Sequence, residues 1–201
     1  MWVSTVEQLL QRTASADPTP GGGAVAAVTG AFGVGLIQMA LEVTLGPAVS
    51  SAPLSDALLE HRRRAAELQT AIAAAADEDV SEFDALMAAY RLPRDSEEQR
   101  QARQRAIDDA TVTATQGPLA LAERCIAAIE LGDVVEALVK PTIVSDVQAG
   151  RDLLRGAAHA ALRTADINLI ALEQRSHHRA PGLRERRDAV QRAASGEQAR
   201  T

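Results

Sequence analysis

The chain has 201 residues and a formal net charge of −6, and 46% of its residues are hydrophobic but only 2% aromatic. This length suits one well-buried domain, and the negative charge excludes a general nucleic-acid binder, which needs a clustered positive surface. An alanine-rich chain with few aromatic residues favours closely packed helices, so the composition predicts an all-α fold.

The first predicted helix is short. Ser4-x-x-Glu7 has the pattern of a capping box, and a helix that opens there runs to about Ser15. The Pro-Thr-Pro-Gly run that follows ends this helix, because proline cannot continue it.

An uncharged segment from Pro18 to Leu41 contains the second predicted helix. A flexible entry precedes the helix, and further glycines inside it leave room for neighbouring helices: Pro20, Gly21, Gly22 and Gly23, then Gly30, Gly33 and Gly35. The segment is also long enough to span a bilayer, and three glycines before a helix expose N–H groups to an anion. Six glycines and two prolines dilute its apolarity, and no strand pattern precedes the glycines. We therefore favour a central helix of a soluble bundle over a membrane span or a nucleotide loop.

A long third helix is predicted from about Leu54 to Leu92, between breaks at Gly46, Pro47 and Pro53 and a stop at Pro93. Asp79 interrupts its apolar stripe, close to the azimuth of Ile72 and Phe83. The acidic neighbours are expected to project to the flanks or outward: Asp77, Glu78, Glu82 and Asp84. An inward carboxylate costs several kcal/mol unless it is paired, hydrogen-bonded or neutralised. Asp79 is therefore either a functional carboxylate or a buried capping or ion-pairing acid, and its position favours neither.

Two further helices complete the predicted core. Ser96-x-x-Gln99 opens one that bends or breaks at Gly117-Pro118 and again at Gly132, and Ser145-x-x-Gln148 opens the other after a turn at Pro141. Asp146 lies in the first turn of that last helix, where the helix dipole alone explains a negative charge. Asn168 falls near its apolar face and is interpreted as a structural amide that joins helices.

The remaining sequence features concern the domain boundaries, the cellular compartment and metal binding. We expect one domain over residues 1–175 and a basic tail over 176–201 that is partly helical or disordered. Cys125 has no partner for an intrachain disulfide, and the N-terminus lacks a secretory signature, so a cytoplasmic protein is expected. The four histidines lack metal-ligand spacing with acids or cysteines, so no metal is implied: His61, His159, His177 and His178.

Several motifs follow one another in an order that is found in a known family. The first is the run from Leu10 through Pro-Thr-Pro-Gly-Gly-Gly-Ala-Val-Ala-Ala, and the second is Asp77-Glu78-Asp79 with Phe83. The others are Met-Ala-Ala-Tyr-Arg-Leu-Pro-Arg at residues 87–94, Pro118-Leu119, Ser145-Asp146 and Ile167-Asn168-Leu169. Together they resemble the cyclodeaminase/cyclohydrolase family of folate enzymes, over nearly all of residues 4–172.

The resemblance implies an up-and-down bundle of long helices that forms a homodimer and binds a folate-like small molecule near the glycine-rich segment, without metal or redox cofactor. Neither nucleic acid nor membrane is an expected partner. The expected reaction is hydrolysis of 5,10-methenyltetrahydrofolate to 10-formyltetrahydrofolate, in which a carboxylate stabilises the cationic substrate and accepts a proton from water. Asp79 is the first catalytic candidate and Asp146 the second. The expected substrate-binding residues are Pro20, Gly21, Gly22, Gly23, Ser145, Lys140, Arg91 and Arg94, although charge compensation at a helix C-terminus suits the two arginines slightly better.

The chain departs from the family pattern in segments that are expected to face the ligand. Family members commonly carry a Gly-Lys-Lys-Lys-Tyr-like run where this chain has Gly46 followed by Pro-Ala-Val-Ser at 47–50. Val-Lys-Pro-Thr at 139–142 replaces a common Gly-Asn-x-Asn, which adds Lys140 near Asp146, and an Asn expected near Thr164 is replaced too. Three alternatives therefore stay open: a formiminotetrahydrofolate cyclodeaminase, a relative acting on another cyclic amidine or imine, and a non-catalytic helical binding protein.

Overall fold

The computed structural model describes residues 1–46 and 53–195, which form six α-helices and no β-strand. The helices are α1 (Val6–Thr13), α2 (Gly22–Leu45), α3 (Pro53–Tyr90), α4 (Glu97–Glu136), α5 (Val144–Gln174) and α6 (Ala180–Ala194). A 3₁₀ turn, Pro141–Ile143, leads into α5. The all-α prediction is confirmed.

Helices α2 to α5 form a four-helix bundle in which each packs on the next and α5 closes against α2. The crossing of α2 and α5 is very close. A Cβ built on Gly33 would lie 2.7 Å from the carbonyl oxygen of Gly150, and one built on Gly150 would lie 2.5 Å from the carbonyl oxygen of Gly33. Only residues without side chains permit this approach, so the role predicted for Gly33 is confirmed.

Helix α2 is the central helix of the bundle. Its length and mean hydropathy of 1.8 would allow it to cross a membrane, but 61% of its most apolar window is buried inside the bundle. Val34, Ile37 and Leu41 have no exposed side-chain surface. This is the environment of a core helix, which the sequence analysis favoured.

Several predicted helix ends differ from the structure by one or two residues. The capping box of α1 joins Thr5 and Gln8 rather than Ser4 and Glu7, because both pairs fit the same pattern. Helix α3 ends at Tyr90. Helix α5 begins at Val144, and Ser145 makes no capping hydrogen bond because the 3₁₀ turn already leads the chain into the helix. The break predicted at Pro47 and the family departure at 47–50 lie outside the described residues.

Helix α4 was predicted to bend or break at Gly117-Pro118 and again at Gly132, and it does not break, since it continues through both Pro118 and Gly132. Pro118 has no N–H, which leaves the carbonyl oxygen of Ala114 without its helical donor. The side-chain amide of Asn168 on α5 donates to that oxygen at 2.8 Å. The interhelical bond satisfies the orphaned acceptor and confirms Asn168 as a structural amide.

The basic tail contains α6, which packs on α4 and α5. Leu183 and Val190 of α6 are buried. Arg186 makes two hydrogen bonds of 2.7 Å to the carboxylate of Glu123 on α4. Arg187 makes two of 2.8 Å to Asp166 on α5. Arginines of the tail thus dock this helix on the bundle, while residues 196–201 lie outside the described part.

Candidate active site

The N-terminal end of α2 borders a cavity of about 500 Å³ between α3, α4 and α5. The entry to α2 supplies one wall, and the helices supply the others: Pro18, Thr19 and Gly21 to Gly23, then Asp79, Glu82, Phe83, Leu86, Ala114, Ala160, Arg163, Thr164, Ile167 and Asn168. A mostly apolar cavity of this size with a few polar groups is typical of a small-molecule site.

Asp79 is half-buried on the cavity wall. Its Oδ2 accepts a hydrogen bond of 2.9 Å from the backbone N–H of Ala24, in the first turn of α2. Gly21, the N-cap of α2, has no side chain that could accept this bond, so Asp79 caps α2 from the neighbouring helix. Within residues 1–46 and 53–195, no Arg or Lys pairs with Asp79. The capping interpretation is therefore confirmed, the ion-pairing one is wrong, and the carboxylate still faces the cavity.

The three glycines at the start of α2 differ in what they permit. A Cβ built on Gly23 would lie 2.0 Å from Oδ1 of Asp79 and 2.6 Å from its Cγ. Built on Gly21 or Gly22, it would have its nearest neighbour at 3.5 Å or 3.7 Å, which is ordinary contact. Only Gly23 is therefore required for Asp79 to reach the end of α2.

The electrostatics of this wall favour protonated carboxyl groups. Burial raises the pKa of Asp79, although the hydrogen bond from Ala24 acts in the opposite direction. Burial, together with the charges of Asp79 and Glu78, raises the pKa of Glu82 to about 7. Two adjacent carboxyl groups with raised pKa values are suited to proton transfer near neutral pH.

Sequence reasoning missed two charged residues of the cavity. Glu82 was expected to project to the flank or outward, but it lines the cavity and packs against Gly117 of α4. Its spacing of three residues from Asp79 was the available signal, because such residues share one helix face. Arg163 is exposed on the α5 wall, and no ion pair to it occurs among the described residues.

Three predicted site residues lie at the other end of the bundle. Ser145 and Asp146 are in the first turn of α5, and about 27 Å of helix separates Asp146 from Thr164 of the cavity. The Lys140 ammonium donates to the carbonyl oxygen of Val43 at 2.9 Å. In the described part of the chain Lys140 forms no ion pair with Asp146.

The remaining predicted binding residues border the site only in part. Gly21, Gly22 and Gly23 line the cavity, whereas Pro20 is buried and does not. Arg91 and Arg94 are exposed beyond the end of α3 and do not line it either.

Comparison with known proteins agrees with this architecture. A family model described as formiminotransferase-cyclodeaminase matches residues 5–181. A methenyltetrahydrofolate cyclohydrolase of Methylorubrum extorquens is 36% identical over 165 residues, covering 82% of this chain and 77% of the relative. The crystal structure of formiminotetrahydrofolate cyclodeaminase from Thermotoga maritima has a TM-score of 0.76 at 19% identity, covering 97% of this chain and 92% of that one, which shows a shared fold. The extent of the family match and the identity to the Methylorubrum protein establish that this chain belongs to the formiminotransferase-cyclodeaminase family.

Proposed function

We propose that this protein hydrolyses 5,10-methenyltetrahydrofolate to 10-formyltetrahydrofolate. The observation that carries the proposal is Asp79, a half-buried carboxylate without a cationic partner in the described residues, on the wall of a cavity of about 500 Å³. A cationic substrate would supply the missing positive charge. The similarity to a protein named methenyltetrahydrofolate cyclohydrolase supports the same reaction.

The proposed chemistry uses the charge of the substrate. Its amidinium carbon lies between N5 and N10, and ionised Asp79 stabilises this cation and accepts a proton as water attacks the carbon. The bond from that carbon to N5 then breaks, N5 gains a proton, and the formyl group stays on N10. No electrons are transferred, so the reaction needs no redox cofactor. In the proposed mechanism Asp79 rather than a metal ion activates the water, so activity should survive chelation and dialysis.

The walls of the cavity suggest how a folate is held. Gly21 and Gly22 permit close approach of the ligand to the backbone at the start of α2. Arg163 is better placed than Arg91 or Arg94 to meet a glutamate carboxylate of a folate, since it alone of the three lines the cavity.

The test is the enzyme-dependent loss of the near-ultraviolet absorbance of 5,10-methenyltetrahydrofolate, with wild type and Asp79→Asn compared. The asparagine side chain keeps an oxygen that can accept the Ala24 hydrogen bond, so the fold and the cap are retained while the base is lost. We expect kcat/KM to fall by roughly 10²- to 10⁴-fold, the usual contribution of a general base.

The matched control is Asp84→Asn, because Asp84 is an exposed acid on the same helix and should leave activity unchanged. Wild-type protein that does not exceed the enzyme-free rate would exclude the cyclohydrolase. Formiminotetrahydrofolate with ammonia release as the readout would then test the cyclodeaminase alternative, whose proton transfers the same acids could serve.

We also propose that the chain forms a homodimer through an apolar stripe on α2. Phe32, Met39 and Val43 are 57%, 39% and 44% exposed, and their spacing places them on one face of the helix. About 27 Å of α5 separates Asp146 from the cavity. A substrate carbon beside Asp79 can therefore be reached by Asp146, Ser145 and Lys140 only if they belong to a second chain.

Burial of the rest of α2 supports a protein outside the membrane, and the cytoplasm is the proposed compartment.

A further inference from the structure

A second carboxyl group, that of Glu82, shares the cavity wall with Asp79. Within the described chain no hydrogen bond or cation stabilises its charged form. A Cβ built on Gly117 of α4 would lie 2.3 Å and 2.7 Å from its two carboxylate oxygens. The absence of a side chain at Gly117 therefore creates the space that this carboxyl group occupies.

A small space adjoins both acids. It measures about 10 Å³ and is lined by Asp79, Glu82, Glu78, Gly117 and Pro118, with Ala75 and Leu121 completing the wall. That volume is close to the minimum that holds one water molecule, and the carboxyl groups provide polar partners for it. The two carboxyl groups therefore border one common space of about the size of a water molecule.

We propose that Glu82 is a second catalytic carboxyl group, a general acid that protonates N5 of the substrate as its bond to the reacting carbon breaks, while Asp79 acts as the base. This assignment rests on the cyclohydrolase function proposed above. It gives the two carboxyl groups of one wall different roles in one reaction.

The proposed reaction has two steps, and every proton in them is accounted for. In the first step the oxygen of water bonds to the amidinium carbon, and one proton of that water passes to Asp79, which leaves a neutral hydroxyl adduct. In the second step the carbon–N5 bond breaks with its electron pair going to N5, which takes the proton of Glu82. The hydroxyl group becomes the formyl carbonyl and returns its proton to Glu82. Asp79 then releases its proton to solvent, so each turnover consumes one water and releases one proton.

The surroundings of the two acids set these roles. The acids Asp79 and Glu78 of α3 lie beside Glu82, and α4 contributes Gly117 and Pro118, which carry no charge. Arg163 of α5 lines the same large cavity and makes no ion pair with Glu82. The acidic neighbours and burial raise the pKa of Glu82 to about 7, so it still carries its proton near neutral pH. Burial raises the pKa of Asp79 as well, but the N–H of Ala24 acts against this rise, and Glu82 has no such donor. Of the two acids, Asp79 is therefore better suited to be the base.

The primary test compares wild type, Glu82→Gln and the exposed-site control Asp84→Asn by kcat/KM from about pH 5 to about pH 9, each corrected for the enzyme-free rate. Wild type should lose activity on the alkaline side with a midpoint of about 7. Glu82→Gln should fall by roughly 10²-fold or more and lose that alkaline limb, while its affinity for the product stays within a few-fold. A Glu82→Gln enzyme with near wild-type activity and the same limb would overturn the role of Glu82 and leave the cyclohydrolase intact. Wild type without turnover would instead overturn the cyclohydrolase and this role with it.

A second variant displaces Glu82 without removing it. Gly117→Ala places a methyl group where the carboxyl group now lies, and the flexible glutamate can swing away, so the protein should fold. Its activity should fall by roughly tenfold or more as the acid leaves its position. The matched control is Gly156→Ala on α5, where an added Cβ meets nothing within 4 Å and activity should be unchanged. Full activity of Gly117→Ala would contradict the proposal.

Discussion

Asp79 combines a structural and a proposed chemical role in one side chain. One of its oxygens, Oδ2, caps α2 through the N–H of Ala24, and the carboxyl group also lines the cavity. A cap from a neighbouring helix holds the carboxyl group in one orientation, which is what a general base needs. The two interpretations that the sequence left open for Asp79 are therefore compatible rather than exclusive.

Glu82 should make the stability of the protein depend on pH. Its pKa of about 7 in the folded chain lies above its ordinary value of 4.5, so between these values the folded state holds a proton that the unfolded state has lost. The free energy of unfolding should therefore fall as pH rises from about 4.5 through about 7, and then stay level with respect to this group. Glu82→Gln removes this contribution, so it should match wild type near the acidic end and be more stable above neutral pH.

Urea titrations of wild type and Glu82→Gln at matched pH values measure this difference. Asp79 is present in both proteins, so its own raised pKa largely cancels in the comparison. Parallel pH dependence of the two proteins would show that Glu82 ionises in the folded state as it does in the unfolded chain.

The orientation of a side chain was predictable where its own helix determines it, and was not predictable where contacts with another helix determine it. The azimuth of Asp79 on an ideal helix indicated an inward carboxylate, and the structure places it on the cavity wall. The orientation of Glu82 depends on the space at Gly117, on another helix. The distance of Asp146 from the cavity follows from where α5 starts and ends, which local sequence patterns do not report.

At the scale of helices, the beginning of α2 shows that adjacent glycines serve different purposes. Gly23→Ala would place its Cβ 2.0 Å from the Asp79 carboxylate, so the acid must leave the end of α2. We expect this variant to lose activity to the level of Asp79→Asn and to lose about 1 kcal/mol of stability with the cap. Turnover and urea unfolding check the two effects.

Gly21→Ala is the matched control for folding and stability, because its Cβ would meet the carbonyl oxygen of Pro18 at an ordinary 3.5 Å. It should fold as well as wild type. If Gly23→Ala retained activity while Gly21→Ala lost it, contact of the ligand with the loop would matter more than the position of Asp79.

Helix α4 shows why local breaking signals were insufficient. Pro118 removes one helical hydrogen bond, which by itself predicts a break. The lost donor is replaced by Asn168, 54 residues from the acceptor Ala114, so the helix continues. Capping patterns located the start of α4 at Ser96 correctly because both partners lie within one turn. The helices and the cap of α4 were thus predicted well from the sequence. The prediction failed where a contact between helices determines whether a helix continues.

At the scale of the whole molecule, the candidate residues occupy opposite ends of the bundle. Asp79 and Glu82 lie beside the start of α2, whereas Lys140 bonds to the carbonyl of Val43 near its end. The exposed stripe of Phe32, Met39 and Val43 runs along the same helix between these ends. A second chain packed on this stripe in antiparallel orientation would bring opposite ends of the two bundles together.

Phe32→Asp tests this arrangement, because an unpaired charge in an apolar interface is costly. Wild type should sediment at twice the chain mass of 21.2 kDa, and the variant should sediment at the mass of one chain. The control is Ile170→Asp, an exposed apolar position of similar accessibility on α5, which should remain dimeric. If the partner chain supplies Asp146, the monomeric variant should also lose turnover although its own Asp79 cavity is unchanged. A monomeric variant with full activity would confine the reaction to one chain, and wild type that sediments as a single chain would exclude the dimer.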